Sequence, residues 1–221
     1  DVYKRQMMKF EHPSKIEVMV PLAVPAPHGN PSQAELEHVR RKYALPEHFI
    51  LMIGTVESRH NHQAVFAALA DVASPAGVVV CGRRTAWSDY LLGYARARRI
   101  AARVDFIYEL TPSDLPALFR LARVFAYLPD ADAEASVVPV VEALRAGLPM
   151  VLSDTQVNRE AAGEAAAYVR PEARGEVLAA LENALEDVSW RRTMQERERR
   201  RAELFSEYAV AERLMQIYTS L

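Results

Sequence analysis

The stretch FILMIGTVESRHNHQAVFAALADV, residues 49–72, decides the fold. It opens on an unbroken apolar run, turns at Gly54, and after a polar connection resumes as a helical pattern over 61–72. A strand with one wet face alternates between apolar and polar residues. A continuous apolar run of strand length suits a strand buried on both faces, as in a parallel sheet. The same pairing recurs along the chain. Strands are expected at KIEVMV (15–20), FILMIG (49–54), GVVVCG (77–82), RVDFIYEL (103–110), RVFAYL (123–128), PMVLS (149–153) and AAYVR (166–170). Helices are expected over 32–43, 61–72, 87–102, 112–122 and 137–146. Strand followed by helix, repeated, predicts a doubly wound α/β sheet. Turn chemistry agrees. Gly82 follows a strand, Thr111-Pro112-Ser113-Asp114 opens a helix, and Gly147 and Pro149 close one. Beyond residue 172 the pattern is purely helical, over 176–187, 190–205 and 207–221.

Composition bounds the function. The chain has 221 residues, 50% hydrophobic and 25% charged, the balance of an ordinary globular protein with material for a sizeable core. A formal net charge of -2 offers no electrostatic case for nucleic acid or an acidic membrane. The longest apolar runs are too short to span a bilayer. Cys81 is the single cysteine, which excludes an internal disulfide framework and makes a cytoplasmic setting the simplest expectation. The first six residues, DVYKRQ, read either as a natural six-residue coil or as the translated end of a sequencing-library adaptor, and are taken as the latter. They are set aside as a scar, which implies a chain that continues upstream. The basic run ERERRR (196–201) reads as a solvated helix face with pairs one turn apart.

Chemistry is expected in ADAEASVVPVVEALRAGLPMVLSD, residues 131–154, where Glu134 and Glu142 bracket an apolar run. Glu134 follows a strand at the C-terminal edge of the sheet, where open α/β sheets bind ligands. Ser136 is placed to cap the next helix, and the amides around Ser136, Val137 and Val138 would suit a phosphate. Glu142, near the end of the second turn, could accept two hydrogen bonds from a vicinal diol such as a ribose. Spacing alone also allows a plainer arrangement: Pro139, Glu142 and Arg145 as a solvent-facing stripe with Glu142 paired to Arg145, and Glu134 in an acidic loop with Asp130 and Asp132. His60-Asn61-His62 lacks the further ligands a metal needs. Ser136 and Ser153 have no histidine partner for a hydrolase triad. Cys81, Trp87 and Trp190 read as packing residues.

The segment from Glu134 through Glu142 to ALRAGLPMVLSD resembles the donor-binding signature of the retaining GT-B glycosyltransferases of family 4 (glycosyl transferases group 1). FILMIGTVESRHN (49–61), VVVCGRRTAW (78–87), VDFIYELTPSDLPALFRLARVFAYLP (104–129), DTQVNREAAGEAAAYVRP (154–171) and the ending ELFSEYAVAERLMQIY are similar to further segments of that family, in order and with matching gaps. The resemblance implies a Rossmann-like parallel sheet with helices on both faces, the C-terminal half of a GT-B fold, ending in a helical tail. Residues 7–172 would be the nucleotide-sugar-binding domain and 173–221 a tail packed on it. Glu134, Ser136 and Val137 would hold the donor sugar. Gly54, Arg59, His60 and Val138 would face the phosphates, with Arg59 meeting charge that develops on the leaving group. Glu142 would hold the ribose, and the base would lie near RVDFIYEL. No catalytic residue is assigned, and neither a metal nor a cofactor is expected. The implied partners are a nucleotide sugar and an upstream acceptor domain, through which alone any membrane contact would come. Three features depart from the family pattern, the first being a loop before Glu134 that is one residue longer than usual. The family's glycines after the first glutamate are Ala135 and Val137 here, and its lysine is His60. They raise a second expectation, a degenerate, non-catalytic domain with an assembly or regulatory role.

Overall fold

The computed structural model describes residues 31–131 and 137–220. Six strands lie in one sheet: β1 (Phe49–Ile53), β2 (Gly77–Cys81), β3 (Val104–Ile107), β4 (Val124–Tyr127), β5 (Met150–Ser153) and β6 (Ala167–Val169). Their order is β3-β2-β1-β4-β5-β6, and every neighbouring pair is parallel. The expected strand at 15–20 lies outside the described residues. The helices are α1 (Gln33–Lys42), α2 (His62–Leu69), α3 (Ala86–Ala97), α4 (Leu115–Leu121), α5 (Val138–Ala146), α6 (Gln156–Ala162), α7 (Arg174–Glu186), α8 (Val188–Ala202) and α9 (Glu207–Ser220).

The unbroken apolar runs have a direct explanation. Successive strand residues point to opposite faces, and each face carries its own apolar core. Phe49, Leu51, Val79, Phe125 and Leu152 meet α4, α5 and α6 on one side. Ile50, Met52, Val78, Val80, Val124 and Val151 meet α2, α3 and α7 on the other. Phe49, Ile50 and Leu51 are all fully buried, each worth about 1.5–3 kcal/mol relative to exposure. The sheet is therefore Rossmann-like, with helices on both faces and a helical C-terminal tail.

Three expectations are corrected in detail. Helix α6 was not foreseen; QVNREAA is short and polar, and its start is fixed by the Thr155 side chain accepting from the Asn158 amide. The helix expected over 112–122 splits into a 3-10 turn, Pro112–Asp114, and α4, which carries a second proline in its first turn. The run ERERRR is not simply a solvated face. Glu196 does pair with Arg199 at 2.5 Å and Arg200 at 3.3 Å, but Glu198 is fully buried, and Arg197 and Arg201 donate to backbone carbonyls of Glu164 and Ala161.

Candidate functional site: the crevice between β1 and β4

Strand order reverses between β1 and β4, so the connections leaving their C-terminal ends diverge and open a crevice. On one side the chain leaves β1 through Gly54, at φ +138°, a conformation that favours glycine. The Gly54 amide donates to the Cys81 carbonyl at 3.0 Å. Gly82 lies so close that a Cβ there would sit 1.8 Å from the Gly54 carbonyl oxygen. The loop after β1 is also bound to the loop after β2. The Val56 amide donates to Arg83, and the Thr85 hydroxyl donates back to Val56.

The chain then makes a 3-10 turn, Ser58–His60, and enters α2 through Asn61 in the left-handed region, φ 53°. Asparagine tolerates that conformation, and its side chain uses it. The Asn61 amide donates to the Leu128 carbonyl at 2.9 Å and to the Asp130 carboxylate at 2.7 Å. The Asp130 amide returns a bond to the Arg59 carbonyl at 2.9 Å. These bonds fix the loop carrying Arg59 and His60 against the segment that leaves β4. That segment is held from the far side as well. The Ser153 hydroxyl donates to the Pro129 carbonyl at 2.8 Å, and Asn158 donates to the Ser153 carbonyl and hydroxyl at 2.9 and 3.0 Å.

Arg59 lies in the open part of the crevice with its side chain 46% exposed. Its Nε donates to Glu57 at 2.6 Å, and that bond holds the Glu57 carboxyl below its ordinary range. His60 is buried against Gly54. Its Nδ1 lies 2.5 Å from the Thr55 carbonyl, so that nitrogen carries the proton and donates. His62 sits edge-on, 6.0 Å away between ring centroids. Burial, and secondarily the nearby His60, push His62 down to about 4, which keeps it a neutral part of the core at pH 7.

Val137 and Val138 start α5 on the other side of the crevice, with Pro139 in the first turn and Gly147 closing the helix at φ 62°. Glu142 projects from the half-buried side of α5, and burial raises its carboxyl above the ordinary range. No hydrogen bond or ion pair reaches it among the described residues. Pro139, Glu142 and Arg145 are all half-buried, and Glu142 does not pair with Arg145, so the solvent-facing stripe is not what forms. Glu134 and Ser136 lie outside the described residues. At the far end of β3, Tyr108 stacks on Phe106 at 5.6 Å and lies under the Arg84 guanidinium at 5.7 Å. The Tyr108 hydroxyl is buried without a partner.

The geometry thus places Gly54, Arg59, His60, Val137, Val138 and Glu142 on loops and a helix that leave the same edge of the sheet. A cation, a helix N-terminus and an unengaged carboxylate suit an anion attached to a diol. Sequence reasoning missed how the edge is assembled. Asn61, Ser153 and Asn158 stand inside the segments that carry the resemblance and Asp130 in the acidic loop, but no local pattern announces the bonds they make. Among the described residues no group of histidine, cysteine, aspartate and glutamate could hold a metal ion, and no helix is long and apolar enough to cross a membrane.

A parallel sheet in this order with its crevice at the switch point defines a Rossmann-like α/β ligand-binding domain. The model of the glycosyl transferases group 1 family matches residues 35–201, and the chain belongs to that family. The O-antigen chain mannosyltransferase B of Escherichia coli is 28% identical over 203 residues, covering 89% of this chain and 52% of that protein. The chain therefore spans about half the length of the curated relative it matches. Among solved structures, a glycosyltransferase from Rickettsia africae ESF-5 superposes with a TM-score of 0.85 at 15% identity, covering 99% of this chain and 61% of that one. Anabaena Alr3699/HepE, solved with UDP and glucose, superposes with a TM-score of 0.83 at 14% identity, covering 99% and 61%. At these identities the structures show a shared fold.

Proposed function

We propose that the chain is the donor-binding, C-terminal half of a retaining, family 4 glycosyltransferase. The whole enzyme binds a nucleotide-diphosphate sugar in the crevice and transfers a hexose to an acceptor hydroxyl. The observation that carries this reading is Glu142, a half-buried carboxylate in the second turn of α5 that no hydrogen bond or ion pair reaches among the described residues. A ribose diol supplies the two donors it lacks. In this reading Gly54, Arg59, His60 and Val138 meet the diphosphate, and Glu134, Ser136 and Val137 the sugar. The relative in complex with UDP and glucose supports a nucleotide sugar as the class of ligand. Residues 7–172 form the binding domain and 173–221 its tail. The acceptor half lies upstream, and a cytoplasmic setting fits a soluble nucleotide-sugar donor. Without an acceptor half, the chain alone transfers no sugar; transfer by the purified chain contradicts this.

A second reading, a non-catalytic descendant, is favoured by one observation. His60 stands where the family has a lysine, and it is buried with Nδ1 committed to Thr55, so it offers the crevice no flexible ammonium. Combining Ala135→Gly, Val137→Gly and His60→Lys restores the family pattern. The degenerate-pocket reading expects about a tenfold gain in affinity for a nucleotide-diphosphate sugar, the worth of one charge-assisted hydrogen bond. Unchanged affinity in that triple variant removes the support for a degraded pocket.

A further inference from the structure

The edge of the sheet opposite the crevice carries a second concave feature. A broad cleft of about 530 Å³ opens between the C-terminal end of α5 and the middle of α8. Arg120, Arg145, Arg192 and Arg199 line it, with Glu196 as its one carboxylate. A smaller cavity of about 250 Å³ adjoins it, sharing Arg120 and adding Arg123 and Arg191.

Part of this basic character has a structural cause. Helix C-termini leave carbonyls unsatisfied and favour cations. Arg120 donates to the Ala146 carbonyl at 3.2 Å, Arg191 to the Leu185 carbonyl at 2.6 Å, and Arg199 to Glu196 at 2.5 Å. Arg123, Arg145 and Arg192 have no such cause. Among the described residues none of their side chains makes a hydrogen bond or an ion pair. Nη1 of Arg145 is buried without an acceptor. Burial first, and then the positive charge of Arg123, weaken the hold of Arg191 on its proton, and the carboxylates of Glu186 and Asp187 offset this only in part. Neither a stranded donor nor a gathering of like charges helps the fold.

We propose that this cleft binds an anion carrying two or more phosphate charges, at a site separate from the donor crevice. Guanidinium forks match phosphate oxygens two at a time, and two of those lining the cleft, Arg145 and Arg192, are unengaged, with Arg123 in the adjoining cavity. A soluble diphosphate and a phospholipid headgroup present the same chemistry, and the test separates them.

Inorganic pyrophosphate is titrated calorimetrically into wild type, into Arg145→Gln combined with Arg192→Gln, and into Arg59→Ala. The same proteins are sedimented with phosphatidylcholine vesicles containing phosphatidic acid. The expected result is that the paired substitution weakens one of these interactions at least about tenfold, while Arg59→Ala leaves it intact. Loss of pyrophosphate binding identifies a soluble ligand, and loss of vesicle binding alone identifies a lipid headgroup. The proposal is overturned if neither probe binds wild type, if the paired variant binds like wild type, or if only Arg59→Ala weakens binding. Arg192 is exposed, so Arg192→Gln alone serves where the paired variant does not fold, with a loss of about threefold or more expected and none overturning the proposal.

Discussion

Replacing Glu198 by methionine is expected to stabilise the protein, by an amount that grows as pH rises from 5 to 8. Glu198 lies on α8, fully buried, and among the described residues neither carboxyl oxygen has a hydrogen-bond partner. Burial alone raises its pKa from 4.5 to about 8. The unfolded chain holds the same carboxyl at its ordinary value. Below about pH 4.5 both states are protonated and the carboxyl adds no pH-dependent penalty. Between about 4.5 and 8 the unfolded state sheds its proton while the folded state keeps it, so stability falls through this window. Above about 8 the loss is complete, on the order of 5 kcal/mol. Local opening of α8 would cap that figure. His62 titrates in both proteins, so its contribution cancels in the comparison. Denaturant unfolding of wild type and Glu198→Met at several pH values measures the difference directly. A difference that does not change with pH would mean that Glu198 is not a buried, unpaired carboxyl.

Substituting alanine at Gly82 is expected to cost about 3 kcal/mol or more and to disturb the crevice. The added Cβ would lie 1.8 Å from the carbonyl oxygen of Gly54 and 2.6 Å from its carbon. Both contacts are with backbone, so no rotamer change relieves them. Overpacking usually costs 1–3 kcal/mol, and a backbone clash belongs at or above the upper end. In a protein of this size that lowers Tm by roughly 6–12 °C. The relief is a shift of Gly54 and the loop it starts, which carries Arg59 and His60, so ligand affinity falls as well. Gly93→Ala provides the contrast. Gly93 lies within α3 with nothing within 4 Å of an added Cβ, and a helical glycine replaced by alanine gains up to about 1 kcal/mol. Equal Tm values for the two variants contradict the close approach of the loops after β1 and β2.

The sheet was legible because its strands are buried on both faces. FILMI and GVVVC leave no polar residue inside the strand, and no other arrangement buries such a run so simply. Helices with a strong apolar face were legible for the same reason. Helix α6 was not, because its seven residues bury little beyond Asn158, Ala161 and Ala162. Glu198 was misplaced because ERERRR is charged at every position, and only the packing of α8 onto the rest of the fold decides which of those charges loses its water. In the candidate site, Glu142 stood out as a charge inside an apolar helix. The bonds from Asn61 to Leu128 and Asp130 join residues nearly 70 positions apart, and no local pattern announces them.

The central claim is a donor pocket centred on Glu142, and calorimetric titration tests it most directly. A panel of nucleoside diphosphates and their sugars is titrated into wild type and Glu142→Ala. The account predicts saturable binding of one nucleotide to wild type, weakened about 10- to 100-fold by the substitution, as expected for the loss of hydrogen bonds to a carboxylate. Nucleotide binding that Glu142→Ala leaves unchanged, or a folded wild-type protein that binds no member of the panel, would contradict it.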